Sequence, residues 1–409
     1  MTRRQRAAAA PKPAVAARNL SGTNLERAGD HNQRVTLHAI RVSGPVTRTD
    51  LVLMTGLTAA AIANITNRLL RQRLIVKAGT IRGGRGQPAV KFSINPDSCY
   101  SLGLNVDRDH ITMVLVDFAG NVRARLSREV AFALPDAVHA FVRRTAGELL
   151  DRARLSPGRL VGLGVAFPDD IQRSALPNQP SDYAAWGSVS LERLLSSVLP
   201  VPIFVENDAA AAAIGEMHFG LGQRYQSFFY ILVTAGLGGG LVVDGHYVRG
   251  ATGRSGELGL LPAPDTGEGP RTLQSVVSIS TLNERLAAQG LRVSSPRRLT
   301  QIGAAEQPVV ERWIAESVEA LEPTLVSVDC LINPEAILIG GRLPAPLVER
   351  LAECLNERLR TYQPIIPSVA PITRAALAED APAVGAAILP FTSRFLPTRL
   401  ALMKNPNER

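Results

Sequence analysis

At 409 residues the chain is long enough for two or three domains with sizeable cores. Cys99, Cys330 and Cys354 are too few and too scattered for a disulfide framework or a closed four-ligand metal site, the pattern of a reduced cytosolic protein. Pro11, Lys12, Pro13 and Arg18 interrupt any signal-peptide core and no uninterrupted apolar span reaches membrane length, so the expectation is a soluble cytoplasmic chain with no membrane partner.

Charge divides the chain. Residues 1–98 hold 16 Lys and Arg against 4 Asp and Glu, whereas the remainder holds 29 against 32, so the whole +9 excess lies at one end. A basic module on a near-neutral body is the electrostatic footprint of phosphate-backbone binding.

Residues 1–28 are rich in Ala, Pro and Arg without periodicity and read as a flexible basic arm. Residues 29–98 read as a winged helix-turn-helix. Val35, Leu37 and Ile40 mark a helix over about 31–43, closed by Ser43, Gly44 and Pro45. Thr47 caps a second helix, Asp50 three positions on supplies the carboxylate of its first turn, Val46 and Leu51 form the flanking staple, and the helix stops near Gly56. Thr58 caps a third. There Ile62, Ile65 and Leu69 recur on the inner face and turn Ala60, Asn64, Asn67 and Arg71 outward. Small, amide and guanidinium side chains on one exposed face suit a major-groove reader, and the candidate DNA contacts are Arg48, Thr58, Ala60, Asn64, Asn67, Arg68 and Arg71. Leu74–Ala78 and Ala89–Ile94 read as a wing hairpin whose tip, from Thr80 to Pro88, places Arg82 and Arg85 among glycines able to enter a narrow minor groove. An ordinary helical subdomain is the other reading of the three helices.

From about Cys99 the pattern changes to short β-runs alternating with helices. Strands are expected at 102–106, 111–117, 122–130, 161–166 and 203–205, with helices at 136–154 and 209–217. Phe228 to Val243 reads as strand, turn and strand, the second strand confined to 241–243. Helices at 309–332 and 344–360 flank a strand at 336–339. The expected body is α/β with a cleft between two lobes, one of about 99–205 plus 380–400 and the other of about 206–379.

Five motifs then fall in one register: Val205-Glu-Asn-Asp208, Gly236-Leu-Gly-Gly-Gly240, Gly256-Glu-Leu-Gly259, Asn333-Pro-Glu335 and Gly340-Gly341. With Thr47-Arg-Thr-Asp-Leu51, Gly56-Leu-Thr58 and Arg85-Gly-Gln-Pro88, the chain from about Asn32 to Leu389 resembles the repressor branch of the ROK family of sugar kinases and repressors. The resemblance implies a two-lobed actin-like ATPase (hexokinase-like) body behind the winged helix. It also implies sugar contacts at Asn207, Asp208 and Glu257. In the family's kinases the carboxylate at Asp208 takes the proton of the sugar hydroxyl, and glycine-lined amides hold nucleotide phosphates. A helix cap before Ala209 is the bland reading of Asp208.

Departures from the family pattern separate enzyme from sensor. Where the kinases carry Asp-x-Gly-Gly-Thr, this chain has Asn105-Val-Asp107-Arg108-Asp109, and the two added carboxylates are expected to repel a polyphosphate. The second glycine loop starts as Thr234-Ala235-Gly236. The family's zinc-binding His is Leu260 here, and Leu261 to Leu273 holds no cysteine. Asp265 and Glu268 are poor substitutes, so no metal and no cofactor are expected. Pro168-Asp169 stands for the family's Pro-Gly, and Gln274 for a sugar-binding Glu. The sequence therefore points to a DNA-binding regulator of carbohydrate genes, a repressor by preference, with no catalytic residue. Its expected partners are a double-stranded operator and a sugar effector, in a homodimer or dimer of dimers. An active sugar kinase with an accessory DNA-binding domain is the alternative, and a scaffold controlled by a protein partner is a third reading.

Overall fold

The computed structural model describes residues 25–81, 88–155, 157–169, 180–265, 267, 269–291, 296–301 and 303–397. Among these, no single helix is long and apolar enough to cross a membrane.

The N-terminal domain comprises α1 (Leu25–Ser43), β1 (Val46–Thr47), α2 (Arg48–Thr55), α3 (Ala59–Arg71), β2 (Ile75–Ile81) and β3 (Ala89–Ile94), with sheet order β1-β3-β2. The first helix starts at Leu25, inside the stretch expected to be arm. Its added turns carry an Asp30–Arg34 ion pair of 2.8 Å at i,i+4, acid before base, the orientation that supports a helix without apolar anchors. The second helix begins as expected: Thr47 accepts from the Asp50 amide while Asp50 Oδ2 accepts from the Thr47 amide at 2.8 Å, and Gly56 ends it in the left-handed region. Thr58 accepts from the Ala61 amide at 3.2 Å and starts α3. The axes of α2 and α3 meet at 116°, the angle of a helix-turn-helix. Leu37, Ile40, Leu51, Ile62, Leu69 and Phe92 fill the core beneath them.

In the body, one sheet has the order β6-β5-β4-β7-β8, built from β4 (Tyr100–Val106), β5 (His110–Asp117), β6 (Val122–Glu129), β7 (Leu160–Ala166) and β8 (Ile203–Glu206). The first three form an antiparallel meander; β7 and β8 run parallel to β4. One face packs on α4 (Pro135–Arg152) and α5 (Leu191–Ser196) through Leu102, Leu104, Met113, Phe141 and Leu195.

The second sheet has the order β11-β10-β9-β12-β13, from β9 (Phe228–Val233), β10 (Leu237–Val243), β11 (His246–Tyr247), β12 (Ala336–Gly341) and β13 (Ile372–Arg374). Four helices cover its outer face through Trp313, Leu321, Leu351 and Leu355: α7 (Gln274–Val277), α8 (Ile279–Ala288), α9 (Gln307–Leu331) and α10 (Ala345–Arg360). The inner faces of both sheets meet a helix pair, α6 (Asp208–Phe219) on the second sheet and α11 (Ala381–Phe395) on the first.

The expected break at the glycine run is corrected: the turn is Thr234–Gly236, and Gly238–Gly240 lie within β10. A β-carbon at Gly238 would stand 2.7 Å from that of Ala209, and one at Gly240 2.6 Å from that of Ala213, so the glycines let α6 lie on the strand. Gly103 of β4 does the same for α11, since a β-carbon there would fall inside the Ala383 carbonyl. Gly103→Val is therefore expected to leave the body unfolded, a loss above about 4 kcal/mol, whereas Gly29→Ala, in open space within α1, is expected to melt at or slightly above the wild type because alanine favours a helix interior by roughly 0.5–1 kcal/mol over glycine; thermal denaturation of the two variants checks this.

Candidate functional site

On α3, Thr58, Ala60, Asn64, Asn67, Arg68 and Arg71 are all exposed on one side, as the sequence pattern requires. Arg48 is half-buried and has a task inside the domain. Its Nε donates to Thr66 Oγ1 at 2.9 Å and a terminal nitrogen donates to Asn67 Oδ1 at 2.7 Å, while the guanidinium lies 5.4 Å over the Phe92 ring. Arg48 and Asn67 thus lock α2 to α3, and the open cations of the face are Arg68 and Arg71. Asn32 and Gln33 of α1 border the same groove, and Gln33 donates to Gln72 at 3.3 Å. Sequence reading missed them because the periodicity of α1 speaks only for its buried side. Arg82 and Arg85 lie outside the described residues.

The second candidate lies between the lobes, a cleft of about 350 Å³ lined by Asn207, Asp208 and Glu257 together with Asp169, Arg108 and Arg254. All three expected effector contacts converge here. The cap of α6 is Asn207, not Asp208: its Oδ1 accepts from the amides of Ala209 and Ala210 at 2.9 and 3.1 Å, and its Nδ2 donates to Asp169 at 3.2 Å. Asp208 accepts from the Ala209 amide at 2.8 Å. Burial, with the Asp107 charge nearby, pushes its pKa up to about 7. Glu257 takes both the Nε and a terminal nitrogen of Arg254 at 2.8 Å.

The β4–β5 loop departs from the expectation of two carboxylates facing a polyphosphate. Asp107 Oδ1 accepts from the Arg108 amide at 2.7 Å, and Asp109 turns to Arg342, which donates to it at 2.6 Å and to Glu129 at 2.5 Å. Burial alone would raise the Asp109 pKa, but the His110 hydrogen bond and the Arg342 charge outweigh it and hold the carboxyl below its ordinary range. The side chain that faces the cleft is instead Arg108, lying directly on Gly236. Among the described residues, Asp107, Asp109 and His110 are the one group with metal-ligand spacing, their ligand atoms within 4.8 Å of one another. Arg342 already neutralises Asp109 there, a poor setting for a cation. Leu260 lines the cleft where the resemblance would place a zinc-binding His.

The N-terminal domain is docked on the body through α1. Arg34 donates to the carbonyls of Ser393 and Leu396 at 3.0 and 3.3 Å, at the C-terminal end of α11. Arg41 donates to His218 Nδ1 at 2.7 Å and stacks 5.4 Å over Phe219, at the C-terminal end of α6. Both guanidiniums thus meet the electronegative end of a helix. Burial lowers the pKa of His218 well below its usual value and that of His38 to about 4, so both imidazoles are neutral and Nδ1 of His218 is free to accept.

A model described as the ROK family matches residues 101–392. The chain belongs to the ROK family. It is 28% identical over 232 residues to a xylose repressor of Bacillus spizizenii, a match covering 56% of this chain and 59% of that one. With the DNA-binding transcriptional repressor Mlc of Escherichia coli it shares 23% identity over 323 residues, 73% of this chain and 78% of that one. In fold it is similar to a ROK family transcriptional regulator, a homolog of the E. coli MLC protein, with a TM-score of 0.64 at 22% identity over 89% of this chain and 96% of that one. A ROK family glucokinase from Streptomyces griseus, in complex with glucose and AMPPNP, aligns with a TM-score of 0.54 at 19% identity over 71% of this chain and 98% of the kinase.

The Asp208 pKa sets a pH dependence. A carboxyl raised from 3.8 to about 7 in the folded chain contributes stability below its unfolded pKa and loses it as pH rises to about 7. The margin by which Asp208→Asn melts above the wild type is expected to widen from pH 5 to pH 8; equal differences at both values would place this titration elsewhere.

Proposed function

We propose that the protein is a sugar-responsive transcriptional repressor in which the kinase-type cleft is a sensor rather than a catalytic centre. The observation that carries this reading is the course of α6. Its first residue, Asp208, lines the cleft, and its last turn, about 18 Å away, holds Arg41 of the DNA-binding domain. A ligand that prefers one lobe arrangement can thereby move α1, and with it the α3 face. Equal affinity for both arrangements would shift nothing.

Phosphoryl transfer is disfavoured by the same geometry. Arg342 ties the second lobe to Asp109 and Glu129 of the first across the loop that holds phosphates in the kinases, and Arg108 covers Gly236. The protein acts without catalytic residue, metal or cofactor. Two copies related by a two-fold axis would present paired α3 helices to half-sites about 34–36 Å apart. Arg68 and Arg71 then supply backbone charge, Asn64 and Ala60 reach base edges, and Thr58 and Asn67 flank them. Arg48 orients Asn67. The wing arginines Arg82 and Arg85 and the arm ahead of α1 add minor-groove and backbone contacts. The dimer or dimer of dimers, like these residue roles, belongs to the proposal.

Selection of genomic fragments by the full chain is expected to recover a partly palindromic site. Asn64→Ala with Arg68→Ala is expected to weaken binding to it at least tenfold and to reduce the salt slope by about one, with no sugar-dependent ATP turnover by the wild type in a coupled assay. Recovery of no common sequence, or turnover on any sugar, would contradict the reading.

A further inference from the structure

β6 and β8 are the edge strands of the first sheet, and each ends on a glutamate that meets an arginine rooted in the second lobe. Glu129 of β6, with Asp109 of the neighbouring loop, accepts from Arg342 at the end of β12. Glu206 of β8 accepts from a terminal nitrogen of Arg249, which follows β11, and its other oxygen accepts from the Asn207 amide at 3.2 Å. Four strand spacings of about 4.8 Å separate the two glutamates, so the ties stand about 19 Å apart. They are unequal. The Arg342 side chain is 4% exposed and is shared by two carboxylates, so breaking that bridge strands a buried guanidinium. The Arg249 side chain is 59% exposed and is held by a single carboxylate, so water replaces its partner as it leaves and salt screens the pair. Glu206 is itself buried, but it lines a cavity of about 1190 Å³ through which water reaches it, and Arg34 and His38 of α1 line the same cavity.

Resting on the reading of the cleft as a sensor, we propose that the lobes turn about the Arg342 bridge and part at the Arg249–Glu206 pair, so that a cleft ligand governs the edge on which α1 lies. The releasable tie joins the two walls of the cleft. Glu206 directly precedes Asn207 and Asp208, and Arg249 leads into the turn that carries Arg254 and Glu257. A ligand that draws these walls together keeps the tie, and one that spaces them more widely breaks it. The buried bridge persists in both cases, because its rupture costs more than that of an exposed pair. A rotation of about 10°, within the size of known interface rotations, about a pivot about 19 Å away moves the far edge by about 3 Å. That edge is the floor beneath Arg34 and His38, so the opening reaches α1 without a change in the α6–α11 contact.

Distances between paired spin labels on the full chain test this without any sugar. In a Cys330→Ser, Cys354→Ser background, Val205→Cys with His246→Cys spans the gap between β8 and β11, and Arg128→Cys with Ala345→Cys spans the Arg342 bridge; all four labelled positions are exposed. Raising sodium chloride from about 0.05 M to about 1 M is expected to lengthen the first distance by about 3 Å and to leave the second unchanged. Arg249→Gln is expected to show the longer first distance at both salt concentrations, and Arg249→Lys to keep the salt response. Melting curves of the labelled variants establish that they are folded. A first distance that stays fixed in the parent and in Arg249→Gln alike, or any lengthening of the second, overturns the release point and leaves the sensor reading standing. A chain that opens as expected here but binds no sugar sinks the sensor reading alone.

Discussion

The structure depends on one close contact, the crossing of α6 and α11 backbone to backbone. A β-carbon at Gly385 would fall inside the Ala211 carbonyl, and one at Gly215 would stand 2.8 Å from the Ala381 carbonyl oxygen. Helices that touch without intervening side chains cannot repack around a small displacement, because no rotamer absorbs it. Each helix lies on a different sheet, so the pair is the mechanical link between lobes. Both C-terminal ends meet an arginine of α1, and the DNA-binding domain therefore rests on that link and not on either lobe alone.

Arg342 is 7% exposed, and a guanidinium so buried persists only when paired; Asp109 and Glu129, from the other lobe, provide the pairing. Removing both partners would strand a buried charge, and the bridge joins the two lobes. Ligand binding must act against or with that bridge. Arg41, its pKa pushed down to about 10 by burial, remains charged and holds α1 to the end of α6.

The local chemistry was legible in the sequence. Thr47, Asp50, Gly56 and Thr58 announce two helices and the corner between them because caps act over three or four residues, and the unbroken run of apolar and glycine residues over Val161–Ala166 announces a strand covered on both faces. The convergence of Asn207, Asp208 and Glu257 followed from motif order. Glycine was ambiguous: Gly238–Gly240 has the composition of a turn, and only the presence of α6 makes it a strand. Arg342 and Asp109 are separated by 233 residues, a distance at which no spacing rule operates. The geometry of Arg48 is decided by Thr66 and Phe92, a buried hydroxyl on another helix and a ring on a strand, and no spacing within α2 brings either to it.

The central claim is that the cleft and the DNA-binding domain are coupled through α6. Hydrogen exchange on the full chain, with and without a saturating ligand of the cleft, measures it most directly. The account predicts altered protection in the cleft at 205–210 and, in the same experiment, at 214–220 and in α1 over 31–43, with the α1 change lost in Arg41→Ala. A response confined to the cleft, with α1 unchanged in the wild type, would contradict it.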